Sequence, residues 1–296
     1  MVRHRRRRPE PRERMRRWWP VMTGVPVAVV ALAGGYAFAA GGGPGLESAL
    51  GGGSGSAGRR PADPVSARPA DTDPRDGSRR LAEFTTGFKP GEARVTNIRL
   101  GAKAVDGHVV PAGGSFSFNK VVGPRSAARG YVPAPTIVGS RLVDDLGGGI
   151  CQVSATLWNA VFEAGLSITK SHPHTLWMPE YPKGREAAVA WPSLDFVWRN
   201  DSAGPVRIRA RVDGGSLTVS LWGTPKYEVK TVSSKRYALT RAGTFSDASR
   251  RCVPMPGGPG FQIDVYRTLS QHGRTIRRDR FHTVYQPEPK VTCTGR

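Results

Sequence analysis

Cysteine, histidine and carboxylate occur along this chain in an order and setting suited to nucleophilic catalysis. Cys151 lies in the run GGGICQVSATLWNAVFEAGL, where three glycines lead into a helix expected from Ile150 to Ala164. A cysteine in the first turn of a helix faces unpaired backbone N–H groups and the positive end of the helix dipole. Both stabilise its thiolate. Such a nucleophile needs a base, and His172 and His174 occur next in the segment HPHTLW, with Asp195 further on in LDFVWRN. Cys151 as nucleophile, His174 as base and Asp195 as the group orienting the imidazole would make an acyl-transfer site. Gln152 beside the thiol, His172, and Arg185 in the PKGRE turn are the candidates for holding a substrate carboxylate. Each also has a plain structural explanation: a small buried hydrophobe at Cys151, turn residues around Pro173, and a solvent-facing strand position at Asp195. His172, His174 and Cys151 also form a candidate zinc set, but three ligands at unknown separation do not define a site. No metal and no cofactor is expected.

These residues need a scaffold, and the periodicity supplies one. Val95, Ile98, Ala102 and Val105 recur at helical spacing and predict a helix over residues 93–105. The Gly113-Gly114 turn leads into a short strand at Ser115 to Phe118, and Thr136 to Val138 and Leu142 to Val143 read as two strands about Gly139-Ser140. At 100° per residue, Gln152, Thr156, Asn159 and Glu163 share one polar stripe of the central helix and the rest is apolar, so the helix is mostly buried. Gly165 falls where a left-handed C-cap is expected. Downstream the period changes to two: Leu194, Phe196 and Trp198; then Val206, Ile208, Ala210 and Val212 alternating with arginines; then Leu217 to Leu221 after a glycine turn. Lys226 to Lys235 reads as a link to a last hairpin, Phe261 to Thr268 with Arg280 to Tyr285. The expected fold is α+β: a buried central helix packed on an antiparallel sheet, preceded by one transmembrane helix and followed by a small β-hairpin unit over 224–296.

The net charge is +21 over 296 residues, and where that charge lies decides its meaning. The first 19 residues carry RHRRRRPEPRERMRR before Trp18 and Trp19. Residues 20–40 (PVMTGVPVAVVALAGGYAFAA) then hold no ionisable side chain except Tyr36. About 20 apolar residues cross a bilayer, and flanking arginines with interfacial tryptophans place the N-terminus in the cytoplasm. Cleavage near Ala39 is the alternative, because Ala37, Phe38 and Ala39 form a small-x-small site. In both cases the rest of the chain is exported: a Gly-, Pro- and Ser-rich tether over 41–80, then the folded part from 81. Nucleic-acid binding is excluded as an expectation, since the densest arginines have a topological role. Export also suits a Cys252–Cys293 disulfide closing the last segment, with Cys151 left as the free thiol.

Three segments together, FSFNKVVGPRSAARGYVPAPTIV, the GGGICQ helix, and HPHTLWMPEYPKGREAAV with LDFVWRN, resemble the VanW family of envelope proteins from about Leu81 to Trp222. The resemblance implies a membrane-anchored or exported protein and does not fix a reaction. Two positions depart from the family pattern: Thr175 stands where serine is usual, and Glu186 where aspartate is usual. The order Cys, His, Asp is also similar, by analogy alone, to that of papain-like and transglutaminase-like folds. Two functional readings are open. In the first the chain binds peptidoglycan or an envelope protein without catalysis. In the second it is a cysteine amidase, peptidase or transpeptidase acting on wall peptides through Cys151, His174 and Asp195.

Overall fold

The structure, a computed structural model, describes residues 72–73, 77–138, 141–250 and 252–295. The expected basic tail, the span at 20–40 and nearly all of the tether lie outside the described residues. Among the described residues no helix is long and apolar enough to cross a membrane.

The chain opens with β1 (Arg79–Gly87) and α1 (Arg94–Val105), followed by β2 (Val109–Val110), β3 (Ser115–Ser117) and α2 (Phe118–Val122). The residues at helical spacing in α1, Val95, Ile98, Ala102 and Val105, are all buried, as the sequence pattern requires. Phe118, expected to end a strand, instead begins α2, because the Ser117 hydroxyl accepts a hydrogen bond from Lys120 N at 3.1 Å and caps it. A hairpin of β4 (Pro133–Val138) and β5 (Arg141–Leu146) leads into α3 (Ile150–Glu163). After α3 come β6 (Ser167–Lys170), β7 (Val197–Arg199), β8 (Val206–Asp213) and β9 (Ser216–Gly223). The antiparallel sheet β1-β9-β8-β2 carries the main core, and a second sheet runs β3-β7-β6.

Helix α3 is enclosed on nearly every side. Val153, Leu157, Val161 and Phe162 have no exposed surface, and Gln152, Thr156 and Asn159 of the polar stripe are equally buried. That stripe is buried because it has partners: Thr156 shares a hydrogen bond with Thr86 of β1 (2.8 Å), and Asn159 donates to Arg185 O (2.8 Å). The helix ends in a Schellman motif. Gly165 has φ +72°, its N–H bonds Phe162 O at 3.1 Å, and Leu166 N bonds Val161 O at 3.2 Å.

The remaining strands are β10 (Glu228–Ser233), β11 (Tyr237–Thr240), β12 (Thr244–Asp247), β13 (Met255–Gly258), β14 (Gly260–Gln271), β15 (Arg274–Tyr285) and β16 (Glu288–Cys293). The expected link at 226–235 thus contains a strand, β10, paired along β14. The expected final hairpin is β14 with β15, and β12 runs parallel to β16. Cys252 and Cys293 are joined in a disulfide. Two contacts fasten this part to α3. Phe281 of β15 meets the rings of Trp158 and Phe162, each at 5.4 Å. The Arg267 guanidinium, itself buried and paired with Asp279 at 2.7 Å, donates to Phe162 O (2.9 Å) and Leu166 O (3.2 Å). A cation thereby satisfies carbonyls that the last turn of a helix leaves open.

Candidate functional site

The three glycines before α3 hold Cys151 in place by close approach. A Cβ on Gly148 would lie 2.2 Å from Ala134 O, well inside contact distance, so only glycine lets β4 pass there. Cys151 is consequently the second residue of α3, half-buried, and is one of the residues lining a cleft of about 760 Å³. Arg94, Arg125, His174, Glu180, Tyr181 and Trp191 are among the other residues lining that cleft.

His174 reaches the sulfur from the loop after β6. Two backbone contacts set that loop: Ala188 N bonds His172 O at 2.8 Å, and Gln286 N bonds Thr175 O at 2.7 Å. The 185–189 segment is tied in turn to α3, through Ser154 Oγ to Ala187 O (2.5 Å) and Asn159 to Arg185 O. The imidazole is buried, lies parallel to the Tyr181 ring with centroids 5.8 Å apart, and acts electrostatically on the Cys151 sulfur, which itself contacts the Val189 backbone at 3.5 Å. Its Nδ1 is held by Glu186 Oε2, which leaves Nε2 for the sulfur. Glu186 is buried as well, and its other oxygen accepts from the Tyr285 hydroxyl, which itself accepts from Gly184 N at 2.9 Å.

Burial opposes charge on both members of the Cys151–His174 pair, and their mutual contacts overcome it. Burial raises the thiol, but the hydrogen bond and charge of His174, the Val189 N–H at 3.5 Å and the Arg125 charge bring it below its ordinary 9.0. Burial lowers the imidazole, but the hydrogen bonds and charges of Cys151 and Glu186 raise it to about 10. Opposite shifts of this kind favour a thiolate–imidazolium pair. A chain of thiolate, imidazolium and carboxylate is equipped for acyl transfer.

The expected site residues are only partly assembled. Cys151 and His174 come together. Asp195 does not reach the imidazole: its carboxylate accepts from Ser117 Oγ (2.6 Å) and Asn119 N (2.9 Å), binding the start of α2. Glu186 occupies the place at His174. Gln152 is fully buried, donating to Thr86 Oγ1 and Gly87 O and accepting from Arg94 Nη2 at 2.9 Å, so it fixes an arginine of the cleft wall. Arg185 is bound to Asn159 (2.8 Å) and Glu163 (2.5 Å) and lies over the Phe162 ring, away from the cleft-lining residues. His172 is exposed and contributes a backbone carbonyl. Among the described residues no group of three or more His, Cys, Asp or Glu side chains could hold a metal ion. Glu186 and Tyr285 were the residues missed. For Glu186 a signal existed, the acid in PKGREAAV at a position where the family resemblance has aspartate.

Comparison with known proteins agrees with the motifs. The family model described as VanW like protein matches residues 93–222. The chain is 45% identical over 148 residues to the uncharacterized protein YoaR of Bacillus subtilis (strain 168), covering 50% of this chain and 49% of that protein. It is 28% identical over 197 residues to the vancomycin B-type resistance protein VanW of Enterococcus faecalis (strain ATCC 700802 / V583), covering 62% of this chain and 70% of that one. The chain thus spans about half the length of the Bacillus relative. No solved structure matches. Cys151, His174, Glu186 and Asp195 all fall within the matched segment, whereas Tyr285 lies beyond it, so residues 93–222 are a VanW-like segment of this chain.

Proposed function

We propose that this chain is a membrane-anchored, extracytoplasmic cysteine acyltransferase, an amide hydrolase or transpeptidase, acting on the peptides of peptidoglycan. One observation carries the reading: Cys151 and His174 both line one cleft and act electrostatically on each other, and Glu186 holds His174 Nδ1. The compartment is inferred from the sequence, arginines then an uncharged run at 20–40.

In this mechanism the Cys151 thiolate attacks the carbonyl carbon of a peptide amide, forming a C–S bond and a tetrahedral oxyanion at the N-terminus of α3, where the helix dipole favours negative charge. The His174 imidazolium gives its proton to the amide nitrogen as the C–N bond breaks, and a free amine leaves. Water, or the amine of a second peptide, then attacks the thioester carbonyl, loses its proton to His174, and expels the thiolate. Glu186 keeps Nε2 directed at the sulfur and stabilises the charged imidazole, the part that sequence order alone would give to Asp195.

The test uses the full-length chain with peptidoglycan fragments and measures both released amine and any mass added at Cys151. Wild type is expected to turn over and to form a thioester adduct. Cys151→Ala and His174→Ala should lose turnover by at least about 10²-fold while retaining their circular dichroism. Tight fragment binding with neither turnover nor adduct in wild type would instead establish a binding module. For the compartment, protease added to intact cells should digest the C-terminal portion and spare the arginine-rich end; full protection of the C-terminal portion would overturn that assignment.

A further inference from the structure

Beside the thiol, the cleft wall holds a cation whose best edge has no partner. Arg125 comes after α2 and Pro124, and its Nη1 is fixed by Asn119 Oδ1 at 2.7 Å and Gly123 O at 3.1 Å. Its Cζ lies 5.5 Å from the centre of the Phe118 ring, so the plane of the guanidinium is constrained. Nε and Nη2 are shielded from solvent and have no hydrogen-bond partner among the described residues. These two nitrogens share one edge of the guanidinium, the edge that grips a carboxylate through two parallel N–H···O bonds. The neighbouring acid, Asp195, has its oxygens engaged by Ser117 and Asn119. The other arginine of the cleft, Arg94, has both terminal nitrogens occupied, by Glu180 at 3.3 Å and Gln152 at 2.9 Å. Among the described residues Arg125 alone therefore combines three properties: it lines the cleft, it acts electrostatically on the Cys151 sulfur, and it keeps a bidentate edge free.

We infer that Arg125 is the specificity residue of this cleft and that it binds the free α-carboxylate of a peptide's terminal residue, so that Cys151 attacks the last amide bond of the chain. This rests on the acyltransfer reading given above and names its substrate class, peptides ending in a free acid. Chemistry connects the two positions. In such a peptide the α-carboxylate is separated from the scissile nitrogen by a single carbon, so an anchor for one near the sulfur presents the other's carbonyl to it. A half-buried guanidinium whose shielded edge is denied that partner is left with unmet donors, which disfavours ligands that cannot supply an acceptor pair.

Binding and reactivity test the inference separately. Using full-length Cys151→Ser, calorimetry would compare N-acetyl-alanyl-alanine with its C-terminal amide, in L and D forms. At least one free acid should bind at least tenfold more tightly than its amide. Adding Arg125→Gln should bring acid and amide within twofold, and Arg125→Lys should retain only part of the preference. In the wild-type thiol, iodoacetate should react faster relative to iodoacetamide than it does with free cysteine, and that ratio should collapse in Arg125→Gln. Equal binding of acid and amide, no detectable binding of any acid, or an acid preference that survives Arg125→Gln would overturn the assignment. A Cys151 no more reactive than free cysteine towards both reagents would instead remove the nucleophile reading, and the calorimetric ratio would still decide the role of Arg125.

Discussion

Replacing Glu186 by glutamine should disarm the thiol without touching it. Glu186 holds His174 Nδ1 with a buried carboxylate, and its hydrogen bond and charge are among the causes that raise the imidazole to about 10. A hydrogen bond to a charged group contributes about 1.5–3 kcal/mol, and each pKa unit corresponds to about 1.4 kcal/mol. Losing the carboxylate charge should therefore lower the affinity of His174 for its proton by about one to two units. Because the sulfur holds its charge largely through that proton, the thiolate–imidazolium form should become about tenfold to hundredfold scarcer. The same coupling sets the sign of the pH response. The reactive form exists from the depressed thiol pKa up to about 10, so alkylation of wild type should begin below the ordinary 9.0 of a cysteine. In Glu186→Gln the acid limb should move back towards that value. Iodoacetamide alkylation of Cys151, read by mass spectrometry from pH 5 to 9, measures this directly, with the greatest loss expected on the acid limb. Glu186→Asp, one methylene shorter but still charged, should lie between the two. An acid limb for Glu186→Gln that coincides with wild type would refute the assignment of the carboxylate.

Three further outcomes concern the scaffold. Tyr285→Phe removes the donor to Glu186 and the acceptor of Gly184 N, leaving two buried groups without partners; urea unfolding should show a loss of about 1–3 kcal/mol per orphaned group. Gly148→Ala places a methyl group 2.2 Å from Ala134 O, and should cost more than about 4 kcal/mol or abolish soluble expression, read by yield and urea midpoint. Reducing Cys252–Cys293, which are 41 residues apart, releases a loop worth about 4 kcal/mol of chain entropy; a thermal scan with and without reductant should show a clear fall in Tm.

Periodic features were the legible ones. Helices α1 and α3, the β8–β9 hairpin and the last hairpin are all readable from spacing, because burying one face imposes a period of 3.6 or 2 on the chain. The disulfide and the pairing of Cys151 with His174 were likewise within reach. The acid was not, since Asp195 and Glu186 are equally plausible by type and order. What separates them is loop packing: Ala190 and Leu194 bond each other across a short turn and deliver Asp195 to the N-terminus of α2, while Asn159 and Ser154 draw residues 185–187 onto α3. No local pattern encodes such contacts. The buried polar stripe of α3 was misleading for the same reason. Gln152 looked available to a ligand, yet its amide is spent on β1 and Arg94. Arg125 gave no signal at all, because an unpaired guanidinium edge is visible only once everything around it has been placed.

The hydroxyl that completes the acid's environment is supplied by a residue 99 positions after it. Polypeptides emerge N-terminus first at about 5–20 residues per second, so Glu186 waits about 5–20 s for Tyr285 after leaving the ribosome. During that interval Glu186 lacks the hydroxyl that bonds its second oxygen. The carboxylate's surroundings are therefore completed only when the final hairpin is in place, after every residue that lines the cleft has been made.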